Sequence, residues 1–387
     1  MRILHTADWH LGRTIRGRSR ATEFEAVLGE IVEIATAERV DVLLVCGDIW
    51  DTAAPSPESD RLLFETLRQL IGAGVQVVLL AGNHDSPRKL EAVGRLSDLL
   101  GVYTQHAVRP SDEGGVLTLR AGDEVARIAA VPWVTEGRLV DAAELLGLAP
   151  EEAHASYAEG VGRVYRALCS GFMPDAVNLL AGHLFVDGAR LAAVDGSERL
   201  LHIGQSYGVP PGMLPGAPQY IALGHIHEPQ ELRGTAAPGA YAGSILQLDF
   251  GERGQQKVVR LIEASAGTPA KQHAVPLTRG RPLVELRGPI AELLGRASEA
   301  AGGYARVIVE VERPEPGLAQ RVREAIPTSV DVRLEYEHER ALPTPELTRL
   351  GPRELFVRYY AAQHGAAPAE ELTSLFDELV EQATAAR

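Results

Sequence analysis

The chain has 387 residues, 45% hydrophobic and 23% charged, with a net charge of −14 at pH 7. That length suits two or three domains, and the composition excludes a disordered or fibrous chain. The acidic balance argues against holding nucleic acid by bulk charge, and no apolar run approaches the roughly 18 residues that cross a bilayer.

The opening MRILHTADWH reads as a strand followed by polar residues, not as a secretion signal. Cys46 and Cys169 lack a C-x-x-C neighbour and read as core thiols of a reducing cytoplasm. In chain order, residues 2–6 predict a strand. Residues 22–38 predict a helix, with Phe24, Val27, Leu28, Ile31, Ile34 and Ala35 at helical spacing. A buried strand over 41–46, a helix over 58–72 and a strand over 75–80 follow. Apolar strands joined by helices imply a largely parallel sheet.

From about residue 100 the pattern changes to short strands at 116–120, 125–131, 176–181, 219–223, 240–245 and 257–263. A helix over 156–169 interrupts them; its Val161, Val164, Tyr165 and Leu168 face suits either a dimer contact or plain core. The expected class is α/β, a two-sheet sandwich flanked by helices over residues 1–265. Residues 265–281, with Gly267, Pro269 and Gly280, read as a linker. Strands at 283–287, 304–312 and 329–337, with helices at 290–300 and 316–325, predict a small α/β cap over 282–340. Helices at 352–363 and 369–384 predict a helix-loop-helix within 345–387.

The chemistry sits after the strands. Successive strands run into Asp8 and His10, Asp48, Asn83, His183, and then His225 and His227. In open α/β sheets the carboxyl ends of strands form the ligand crevice. Residues two apart in an extended segment point to one side, so Asp8 with His10, and His225 with His227, can each grip an ion. Glycines at 47, 82, 182 and 224 precede ligands and allow close backbone approach. Imidazole, carboxylate and one amide suit Mn²⁺, Fe or Zn²⁺ better than Ca²⁺. Seven ligands fit two ions sharing a carboxylate, and Asp48 is the best bridge. Such a site suits phosphate-ester hydrolysis.

His84, beside Asn83, is placed to touch the phosphate or the leaving oxygen, with Asp85 to hold its ring. Asp51 either lines the same rim or caps a helix. Arg13, Arg16, Arg18 and Arg20 either contact phosphates near the metals or form a solvated loop. His5, His106, His154, His202, His273, His338 and His364 read as structural or exposed.

The pattern DxH, GDxxD, GNHD, GH and GHxH resembles the calcineurin-like metallophosphoesterase superfamily. CGDIWDTAAPSP, LAGNHDSP, SERLLHIG, YIALGHIH and YAGSILQLDFGE are similar to the bacterial SbcD nuclease family. That resemblance implies a nuclease on double-stranded, single-stranded and hairpin DNA, two Mn²⁺ ions (with Fe, Zn²⁺ or Mg²⁺ as substitutes), a cytoplasmic, nucleoid-associated homodimer, and an SbcC-type ATPase partner. It implies one ion on Asp8, His10, Asp48 and His227, and another on Asp48, Asn83, His183 and His225, with His84 acting on the transition state or leaving group. The tail helix, with Leu372, Leu375, Phe376 and Leu379 on one face, suits docking to that ATPase or packing on the cap. A phosphomonoesterase or cyclic-nucleotide phosphodiesterase on the same core is the competing expectation, and a scaffold with lost ligands a third.

Overall fold

The computed structural model describes residues 1–97, 100–147, 156–191, 207–312, 316–336, 352–364 and 367–385. Its first half alternates β1 (Arg2–Thr6), α1 (Ala21–Ala37), β2 (Val42–Val45), α2 (Pro57–Gly72), β3 (Gln76–Leu80), α3 (Pro87–Ser97) and β4 (Val102–Gln105). Strands β1 to β4 are parallel neighbours. Helix α2 starts where Ser56 accepts from the Ser59 N–H and Pro57 takes the first turn, which lacks a partner for its amide anyway.

The second half holds β5 (Val116–Ala121), β6 (Glu124–Val131), α4 (Glu136–Leu145), α5 (Tyr157–Cys169) and β7 (Val177–His183). Then come the short pair β8 (Phe185–Val186) and β9 (Gly208–Val209), followed by β10 (Tyr220–Gly224), β11 (Gln230–Glu231) and β12 (Gly239–Tyr241). The second sheet runs β11-β12-β10-β7-β6-β5, with β6, β7, β10 and β12 parallel and the edges antiparallel.

Alternation along the strands builds the layers. Val42 and Leu44 face a core shared with Leu179, Tyr220 and Ala222 of the second sheet. Leu43 and Val45 face α1 and α2 through Leu28, Ile31, Leu63 and Leu67. On the far side, Val161, Val164, Tyr165 and Leu168 of α5 are buried against the second sheet, so that face is core. The architecture is the expected helix-flanked double sheet.

Three expectations need correction. Strand β13 (Val258–Glu263) joins the first sheet, antiparallel to β1, rather than the second. The expected linker contains β14 (Lys271–Pro276), paired to β13 and largely exposed, so it shows no apolar alternation. The strand expected over 240–245 ends at Tyr241, because the left-handed φ of +78° at Gly243 turns the chain.

A three-stranded sheet follows in the order β15 (Leu283–Gly288), β16 (Tyr304–Glu310), β17 (Ser329–Glu335), with α6 (Ile290–Gly295) and α7 (Leu318–Ala325) between strands. One compact unit comprises residues 1–309 and 316–333; the other comprises 310–315 and 334–387. Within the first, Leu283 and Tyr304 pack on Ile15 and Phe250. Within the second, α8 (Pro352–His364) and α9 (Glu370–Ala385) pair through Phe356 stacked on Phe376 at 4.3 Å and Arg353 bound to Asp377 at 3.0 Å.

Candidate metal centre

The ends of β1 and β2 are stitched together. The Asp8 N–H donates to the Gly47 carbonyl at 3.0 Å and the His10 N–H to the Asp48 carbonyl at 2.9 Å. Asp8, His10, Asp48 and His225 all hold left-handed φ, between 47° and 96°. Non-glycine residues rarely adopt that region, and such strain gathers where side chains must be aimed for a purpose. A Cβ on Gly47 would overlap the His183 ring, and one on Gly82 would overlap Asp48. Glycine is required at both places for the strand ends to close up.

The side chains converge accordingly. Asp8, His10 and His227 bring ligand atoms within 4.8 Å of one another; so do Asp8, Asp48 and His183, and also His10, Asp48 and His84. Asp48 Oδ2 lies 3.5 Å from His10 Nε2 and 3.5 Å from His183 Nε2, between the two halves of the cluster. Asn83 Oδ1 lies 3.0 Å from both His183 Nε2 and His225 Nδ1. His183 donates from Nδ1 to the Cys46 carbonyl at 2.8 Å, which leaves Nε2 for the cluster. Both ring nitrogens of His10, and Nε2 of His225, are buried without a hydrogen-bond partner. Orphaned imidazole nitrogens facing buried carboxylates are a donor set that fits divalent cations.

Electrostatics point the same way. Burial pushes the Asp8 carboxyl up, more than His183 and His227 pull it down. Burial works against charge on Asp48 too, yet the imidazoles of His183 and His10 hold it well below the usual range. Burial opposes charge on His183, but Asp48 and Asp8 outweigh it and raise the ring to about 9. Burial, and then the charge of His183, drives His225 down to about 3. A cation that displaces the His183 proton would relieve these conflicts together.

Residues 1–229 match the family model for calcineurin-like phosphoesterases, and residues 279–364 match a type 5 capsule protein repressor C-terminal domain. Over 98% of its length the chain is 32% identical to the SbcD component of nuclease SbcCD from Bacillus subtilis, covering 97% of that protein. The Rhodobacter capsulatus counterpart is 34% identical, over 92% of this chain and 93% of the relative. The Escherichia coli protein is 30% identical, over 77% and 74%. The chain belongs to the SbcD family of calcineurin-like phosphoesterases. It is a metal-dependent hydrolase of the phosphodiesterase and nuclease class.

In this SbcD family member the rim differs from the sequence expectation. The His84 ring donates from Nδ1 to the Asp51 carbonyl at 2.8 Å, and the His84 N–H donates to Asp48 Oδ1 at 2.9 Å. Asp85 does not hold that ring. Its carboxylate accepts the amides of Ile49, Trp50 and Gly82, shaping the turn from beneath, while burial and the nearby Asp48 raise it to about 6. Asp51 Oδ1 lies 3.3 Å from His10 Nδ1 and accepts from Arg13 at 3.2 Å. Arg16 pairs with Asp331 at 3.3 Å, and Arg18 donates to the Pro327 and Ser329 carbonyls. Arg20 is buried in a two-pronged pair with Glu23 and so cannot reach DNA.

Two residues of the centre escaped the sequence reading. Glu252 accepts from His227 Nδ1 at 2.8 Å and is itself held by Lys257 at 2.7 Å, which turns His227 Nε2 toward the cluster. Burial opposes its charge, but Lys257 and His227 keep the carboxylate well below its usual range. Trp133 stacks on His225 at 5.0 Å. Its signal was its place: it follows β6 as the ligands follow their strands.

Proposed function

We propose that this chain is the Mn²⁺-dependent nuclease subunit of an SbcCD-type complex. It cuts double-stranded DNA from ends and single-stranded or hairpin DNA internally, in repair and recombination. The carrying observation is the convergence of ligand side chains from five strand ends on a buried cluster with orphaned imidazole nitrogens.

Asp8, His10, Asp48 and His227 would hold one Mn²⁺, and Asp48, Asn83, His183 and His225 the other, with Fe, Zn²⁺ or Mg²⁺ as substitutes. Asp48, 3.5 Å from an imidazole on each side, supports its place as the bridge. When bound, the ions acidify a water and neutralise charge on the phosphate. Asp51, through its carbonyl, accepts from Nδ1–H of His84 and fixes the orientation of the ring. That leaves Nε2 of His84 to meet the phosphate or leaving oxygen. Arg13, on the rim beside Asp51, is the arginine of its loop best placed for a backbone phosphate.

Residues 282–340 form the cap in this reading, and residues 345–387 dock the SbcC-type ATPase. The exposed Leu372, Leu375 and Leu379 along α9 support docking. The nuclease works as a homodimer. The test is cleavage of a DNA hairpin with Mn²⁺, alone and with the ATPase, by wild type and His84→Ala. Wild type should cut; the variant should lose cleavage at unchanged metal content. Hydrolysis of p-nitrophenyl phosphate with no cut in any DNA would overturn the reading in favour of a phosphomonoesterase.

A further inference from the structure

A cavity of about 320 Å³ opens beside the metal centre. Strand order explains its place. In the first sheet β4 lies one strand beyond β3, and in the second β6 lies one strand beyond β7. Strands β3 and β7 lead to Asn83, His84 and His183; β4 and β6 lead to His106 and Trp133. Neighbouring strands are about 4.8 Å apart, so the cavity continues the same crevice one strand outward. Trp133 is the common wall: it stacks on His225, lines the cavity, and donates its backbone N–H to the Ala81 carbonyl just before the turn carrying Asn83 and His84. Arg88 lines the cavity from the first turn of α3, which opens three residues after His84.

The lining combines a flat aromatic wall with specific polar groups. Trp133, Val108 and Leu145 are apolar; Arg88 and Arg138 bring positive charge from α3 and α4, and Glu91 and Asp141 of the same helices add two carboxylates. His106 lines the same space with a buried Nδ1 that has no hydrogen-bond partner. An indole wall, an orphaned imidazole nitrogen and two guanidinium groups match a heteroaromatic ring with polar edges attached to a phosphate.

We propose that this cavity receives one unpaired nucleobase of the DNA strand, that of a nucleotide flanking the scissile phosphate. Arg88 and Arg138 face the adjoining backbone phosphate, and His106 meets the edge of the base. The inference rests on the nuclease reading and deepens it, because it makes an unstacked base part of what the site recognises.

The experiment measures single-turnover cleavage by the full chain with Mn²⁺ on oligonucleotides carrying one abasic position on either side of the cut. Loss of the base at one of the two positions should slow cleavage about tenfold. Ala142→Phe, which fills the cavity, should cut intact and abasic DNA at the same slow rate, while hydrolysing bis(p-nitrophenyl) phosphate like wild type. Arg138→Ala should raise KM for DNA and leave the small diester unaffected. Equal wild-type rates on intact and abasic strands would overturn the base pocket and leave the nuclease standing; that comparison needs no variant. If wild type hydrolyses the small diester but cuts no DNA, both proposals fall.

Discussion

Asp48 meets an imidazole from each half of the cluster and also receives the His84 backbone N–H. Asp48→Ala should therefore cost more bound metal than any other single ligand change, and an unchanged calorimetric metal count would refute its bridging place. Glu252→Gln removes the charge that orients His227, and metal binding should weaken about tenfold. An unchanged affinity would reduce Glu252 to a support for its own loop. Arg20→Ala would strand Glu23 in the interior; about 3 kcal/mol of stability should be lost in urea unfolding. A loss too small to measure would return Arg20 to the surface. Buried His5, between Tyr220 and the Leu223 carbonyl, is driven down to about 3 by burial and then by Arg260. The unfolded chain takes up that proton near pH 6.5 and the folded one does not, so this contribution is present above 6.5 and is lost as pH falls toward 3. Against His5→Gln, wild type should lose about 2 kcal/mol more between pH 6.5 and 5. The residues that converge on the candidate centre were legible because a strand running into Gly-Asp or Gly-His is a local pattern. Sequence adjacency misled at Asp85, whose carboxylate turns to backbone amides, and at Arg20, whose charge turns inward. Glu252 and Trp133 reach the centre only through tertiary packing, which no spacing records.

At the scale of elements, helix α9 exposes Leu372, Leu375 and Leu379 at helical spacing. Deleting residues 345–387 should abolish co-purification with an SbcC-type ATPase while Mn²⁺-dependent cleavage by the chain alone persists. Survival of the complex would place the docking surface elsewhere. Strands buried on both faces, such as Val42–Val45, announced themselves as continuous apolar runs. Helices α3 and α4 did not. Helix α3 carries Gly94, where a Cβ would overlap Thr104 of β4, so close packing replaced helix propensity. Helix α4 has Gly137 in its first turn and only three buried residues, too few for a visible stripe. Strand β14 hid for a related reason: its exposed Lys271, His273 and Ala274 give the edge of the sheet no hydrophobic face.

At the scale of the molecule, the net charge of −14 leaves attraction for DNA to local fields around the centre. Divalent cations should stabilise the fold as well as activate it. At a hundredfold excess over Kd, Mn²⁺ should add about 2.7 kcal/mol, seen as a rise in Tm over chelator-treated protein. No rise would mean the cluster does not hold the ion. The pairing of β1 also governs timing. Strand β1, which leads to Asp8 and His10, lies between β2 and β13, so one of its edges stays unpaired until residues 258–263 exist. On the ribosome the first ligands emerge early and wait for almost the whole domain before their sheet can close. A chain abandoned just before residue 258 already carries every candidate ligand, yet leaves β1 without its second neighbour.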